Sequence, residues 1–142
     1  PDAARRHGAG RENAMACALT SDRVMAEADA VMSGPFAWGA CDCSSAACDV
    51  FARLHGVDPL APWRGAYTGA AGAVRLIRSM GGPQSLAREM AARSGLVAGE
   101  AIGAIGLHGR SLIICIAPGW WAGKAKSGIA IVRAADEAWH IA

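Results

Sequence analysis

At 142 residues the chain is long enough for one domain with a substantial hydrophobic core. Only 18% of its residues are charged, against roughly a quarter in ordinary globular domains, and the net charge is +2. Lys and Arg cluster nowhere beyond Arg5-Arg6, which argues against nucleic acid as a partner, and no apolar run approaches the roughly 18 residues of a membrane span. A sparsely charged, Ala- and Gly-rich surface suits a subunit that packs among partners. Five Cys is an odd number for a disulfide framework, and Gly8 to Asn13 is polar where a secretory leader has its apolar core. The thiols are therefore expected to be reduced during synthesis in a cytosol.

In chain order, residues 1–20 lack periodicity and read as a flexible arm carrying His7; residues 21–142 read as a single domain. Ser21-Asp22 is expected to cap a helix over 22–33, with Val24, Ala28 and Val31 on its apolar stripe and Gly34-Pro35 at its end. The following loop holds Phe36, Trp38 and Gly39. Its aromatics suit either the wall of a substrate cleft or packing against the first helix. Asp42 is a good N-cap, since its carboxylate can accept from the free N–H groups of a first turn. From Cys43 the positions Ala47, Val50, Phe51 and Leu54 keep to one helical face, and Gly56 can take the left-handed cap that ends the helix after His55. Cys43 then lies in the first turn, where the dipole and unpaired N–H groups favour a thiolate nucleophile. The alternative is a buried core thiol.

The segment VDPLAPWRGAYTG reads as an ordered loop, because Leu60, Trp63 and Tyr67 call for burial. Arg64 within it either pairs with a carboxylate such as Asp42 or Asp49 or stands as an exposed charge. Helices are expected over 69–80, with Ala73, Leu76, Ile77 and Met80 on one face, and over 83–93, with Pro83 in its first turn. Strands then follow: 101–107, a turn at His108-Gly109-Arg110, 111–117, 128–133 with a turn over 124–127 before it, and a last strand holding Trp139 and Ile141. Helices first and strands afterwards make an α+β domain.

The motif Pro35-Phe36-x-Trp38-Gly39-x-x-Asp42-Cys43, then Asp49 and His55-Gly56-x-Asp58-Pro59, resembles the front half of a family encoded among phage and prophage tail genes. That family is distantly similar to the NlpC-type cell-wall cysteine peptidases. Trp63-Arg64-Gly65-x-Tyr67, the Ala-rich helix through Leu76, Gly81-Gly82, Gly128-Ile129 and Ala138-Trp139 extend the resemblance over roughly residues 20 to 142. It implies an NlpC- or papain-like α+β fold, with Cys at a helix start followed by a small antiparallel sheet carrying His. It also implies a setting in the tail of a virion, made in the cytoplasm of a bacterial host, with other tail and hub proteins as partners and peptidoglycan as a further one.

A cysteine peptidase needs a base beside sulfur. His55 is about 18 Å along the helix from Cys43, His7 lies in the arm and His140 near the terminus, which leaves His108 in the hairpin. NlpC-type enzymes carry their His at the opening of the second hairpin strand, where Ser111 or Leu112 falls here. Cys41, Cys43 and Cys48 have no metal-ligand spacing, so neither a metal nor another cofactor is expected; Cys48 and Cys115 read as core thiols and Cys41 as a loop thiol near the site. The candidate catalytic pair is Cys43 and His108, lined by Trp38, Gly39, Asp42 and Arg64. The expected function is a tail-tip or hub component with a vestigial hydrolase site. The alternative is an active cysteine amidase or endopeptidase cleaving peptidoglycan stem peptides.

Overall fold

The computed structural model describes residues 19–142, so His7, Arg5-Arg6, Cys17 and most of the expected arm lie outside the described residues. Among the described residues four α-helices precede six strands: α1 Ser21–Met32, α2 Cys43–His55, α3 Gly69–Ser79, α4 Pro83–Arg93, then β1 Leu96–Ala98, β2 Ile105–His108, β3 Ser111–Ala117, β4 Trp120–Ala125, β5 Gly128–Val132 and β6 Glu137–Ile141. The strands form one antiparallel sheet in the order β1-β6-β2-β3-β4-β5. The architecture is α+β.

The helix boundaries follow local chemistry closely. Thr20, extended, caps α1 by accepting from the Arg23 N–H at 3.2 Å, so the cap lies one residue ahead of the expected Ser21. Gly56 adopts φ 72° and closes α2 on the Ala52 carbonyl, as a C-terminal glycine free of Cβ strain can. The strands agree less well. The glycine-thinned run before His108 is extended only from Ile105, and β1 was not expected at all. Trp120-Trp121 begins a full strand, which carries Lys124 and Ala125 out of the expected turn. Three-residue β1 has no internal pattern to read; pairing with β6 defines it.

α1 and α2 pack together and lie across β3 and β4, while α4 packs against β1. Val24, Ala28 and Met32 of α1, Ala47, Val50, Phe51 and Leu54 of α2, and Leu107, Leu112 and Ile114 of the sheet join one core. Cys48 is in that core with no exposure, and Leu60 and Trp63 close over it from the loop. The C-terminal end of α2 is tied to the sheet through a 2.8 Å hydrogen bond between His55 Nε2 and the Gly103 carbonyl.

Alternate strand residues face away from the helices. Ala104, Ile113, Cys115 and Trp121 form a smaller cluster there with Val132, Ala135 and Ala138. Gly106 belongs to this face. A Cβ on it would lie 2.7 Å from the Trp121 ring and 3.1 Å from the Glu137 carbonyl oxygen, so the glycine is the space into which a fully buried indole fits. Gly106→Val is expected to cost about 1–3 kcal/mol by overpacking. Urea unfolding checks this: the midpoint falls with the denaturant slope unchanged.

Candidate active site

The site is built on the start of α2. Asp42 is extended and 1% exposed, and its carboxylate takes four donors. Oδ1 accepts from the Ser44 N–H at 2.9 Å and the Ser45 N–H at 2.7 Å; Oδ2 accepts from the Gly39 N–H at 2.7 Å and from the Tyr67 hydroxyl. The Asp42 N–H in turn donates to Ser45 Oγ at 2.8 Å, which completes a capping box. One side chain thereby joins the Trp38-Gly39 loop, the first turn of α2 and the loop after the 3₁₀ turn Ala61–Trp63. Gly39 holds φ 82°, a left-handed conformation that turns its N–H back onto the carboxylate.

Burial pushes the Asp42 carboxyl up, but the hydrogen bonds from Ser45, Tyr67 and Gly39 outweigh it and hold the group below its ordinary value. Tyr67 moves the other way: burial and the adjoining Asp42 carboxylate raise its hydroxyl far above the usual phenol range, so it remains a donor. Burial likewise raises the Cys48 thiol, and burial with Glu100 raises Cys115 to about 11. Both behave as core thiols.

Cys43, half-buried, begins α2 and borders a cleft of about 280 Å³ together with Trp38, Asp42 and Tyr67. The opposite wall is α3 and α4, through Ala73, Leu76, Ile77, Leu86 and Met90. Trp38 stands 46% exposed at the rim, its ring held edge-on to Phe36 at 4.9 Å, so this aromatic lines the cleft rather than the first helix.

The remaining expected site residues lie elsewhere. Arg64 is paired with Asp49 and Asp58, not with Asp42, and lines a separate polar depression with Val31 and Cys41. Cys41 Sγ points to the Val31 carbonyl at 3.4 Å. His108 is exposed at the end of β2. It pairs in register with Ser111, two positions beyond Gly106 and so on the sheet face that points away from the helices. Its Nδ1 is 3.1 Å from the Ala134 carbonyl in the β5–β6 connection. The hairpin side chain that reaches the Cys43 cleft is Arg110, and no described histidine lines it.

Residues 15–141 match the family described as Domain of unknown function (DUF6950). The chain belongs to that family. No curated protein and no solved structure matches the chain. The Asp42–Cys43 start of α2, the Trp38-Gly39 approach and Tyr67 all fall within the matched residues.

Two members of this site, Tyr67 and Arg110, were not among the expected ones. Tyr67 stands in the Arg64-Gly65-x-Tyr67 motif, so its signal was visible without its partner. Arg110 is separated from His108 by one glycine, yet Arg110 lines the Cys43 cleft and His108 does not. Among the described residues no group of three or more His, Cys, Asp or Glu could hold a metal ion. No helix there is long and apolar enough to cross a membrane.

Tyr67→Phe is expected to destabilise the fold at pH 7 by roughly 1–3 kcal/mol, because it strips a donor from a buried carboxylate. Asp42 titrates below its unfolded value of 3.8, so its stabilisation is present above that pH and fades as pH falls through the folded value. The gap between wild type and variant therefore narrows in acid, which urea unfolding at pH 7 and pH 3 measures.

Proposed function

We propose that this protein is a tail-tip or hub component of a phage or prophage-like particle, with an NlpC-like cysteine hydrolase fold whose cleft binds rather than cuts. The particle setting rests on the sequence resemblance. The fold reading is supported by a cysteine at the first position of a helix, helices packed on one face of an antiparallel sheet, and a hairpin end beside that helix start. The observation that carries the binding reading is Arg110. Amide hydrolysis by a thiol needs a group that accepts the thiol proton and later returns it to the leaving amine. A guanidinium stays protonated and cannot exchange a proton in that way. Cys43 keeps its place, and Arg110, which lines the same cleft, makes it a cationic recess.

Three observations fit a subunit held among other tail proteins. The surface is sparsely charged, apolar Trp120, Ile131 and Ile141 stay exposed on the sheet, and Val97 is exposed on β1. Trp120 is covered on one side by the Arg133 guanidinium, 3.9 Å from the ring centre.

The active-peptidase reading requires His108 to act on Cys43. Incubation of the protein with purified peptidoglycan between pH 5 and 9, followed by mass spectrometry of soluble fragments, is expected to release no stem peptides. Fragments that disappear in Cys43→Ala would establish hydrolysis. Thiol labelling gives an independent check: His108→Ala is expected to leave the rate of Cys43 alkylation unchanged at every pH, because the imidazole is bonded on the other side of the sheet. Recovery of the protein in purified tail particles after prophage induction tests the setting.

A further inference from the structure

The Cys43 cleft is dominated by carbon, and α3 supplies much of it. This helix carries an apolar stripe yet buries none of its residues fully: Ala73, Leu76 and Ile77 are half-buried, and Val74 is 38% exposed. Such a stripe normally closes against a core. Here Leu76 and Ile77 pack only in part against the core and, with Ala73 and Val74, also line an open slot shared with Leu86 and Met90 of α4. The volume, about 280 Å³, falls just short of the usual range for small-molecule sites and suits a slender ligand.

The mouth of the slot is cationic. Arg78, in the last turn of α3, and Arg110, in the β2–β3 turn, both border it. Neither makes an ion pair among the described residues, whereas Arg53, Arg64, Arg88 and Arg93 all do. The one carboxylate in the lining, Asp42, is buried with four donors already on its oxygens, so it offers nothing to a cation. The cleft thus joins an aliphatic slot to two uncommitted positive charges at its opening.

We propose that the cleft binds a single-chain amphiphilic anion, with its aliphatic chain between α3 and α4 and its anionic head against Arg78 and Arg110. This rests on the reading of the cleft as a binding site rather than a hydrolytic one. A compact polyanion fits poorly, because most of the lining is hydrocarbon. A cationic or neutral chain of equal length leaves both guanidiniums unpaired.

Calorimetric titration with monomeric decanoate, kept below its micelle concentration, tests the assignment. Saturable binding is expected, weakening about fourfold for each methylene removed from decanoate to octanoate, and decyltrimethylammonium is expected not to bind. Arg110→Ala should weaken decanoate about tenfold, with Arg110→Lys restoring most of the loss, and neither should shift the melting temperature, since the side chain is exposed. Ala73→Trp, which fills the slot, should abolish binding; Arg75→Ala, exposed on the same helix but outside the cleft, serves as the folded control. Equal affinity for the cation, indifference to chain length, or binding to anionic-lipid vesicles without any binding of free decanoate would each overturn the proposal. The peptidoglycan assay separates the two claims. Decanoate binding alongside Cys43-dependent cleavage leaves the ligand class standing and sinks the non-hydrolytic reading; no binding and no cleavage does the reverse.

Discussion

The buried Asp42 carboxylate is the constraint on which the site depends. A charged group so little exposed survives only if its lone pairs are occupied, and here four donors come from three different stretches of chain. The cap starts α2 at Cys43. The Gly39 N–H draws the Trp38 loop over the helix end, and the Tyr67 hydroxyl brings the loop after α2 back to it. Each bond positions one wall of the cleft. Were the carboxylate replaced by a group with fewer acceptors, three segments would lose their common anchor while the main core of α1, α2 and the sheet kept its packing.

That core and the cleft differ in physical character. The contacts of α1 and α2 with β3 and β4 are apolar and closed, with Val24, Phe51 and Ile114 fully buried. α4 joins this core through buried Leu86, Ala87, Met90 and Ala91, whereas α3 buries no residue fully. α4 is held to the sheet by Leu86, Met90 and an exposed Arg88–Glu137 ion pair, and α3 reaches the rest of the molecule largely through α4. An exposed pair of this kind contributes less than about 1 kcal/mol. The cleft therefore lies between the closed core and α3, the helix with no fully buried residue.

The sheet supplies the hairpin by register rather than by residue type. Side chains alternate faces along a strand, so a change of one position moves a group from the helix side to the opposite side. Leu107 and Leu112 face the core, Gly106 and Ile113 face outward, and His108 with Ser111 continues the outward row. The turn then swings Arg110 to the helix side. His108, two positions from Arg110, thereby stays out of the cleft that Arg110 lines.

Local signals in the chain were enough for the helices and their ends. The Asp42 cap, the glycine after His55, the proline opening α4 and the apolar spacing of α2 act within a few residues, and each was readable where it stood. The order of helices before strands, the burial of Cys48 and Cys115 and the isolation of His55 from Cys43 were readable for the same reason. Contacts between distant segments were not. Pairing with β6 creates β1, a buried Trp121 ring explains Gly106, Asp58 joins the expected Asp49 in holding Arg64, and Tyr67 finds Asp42 across 25 positions. Above all, the face on which His108 falls depends on the pairing of β2 with β3, because strand parity is set by partners in space and leaves no trace in the spacing of one segment.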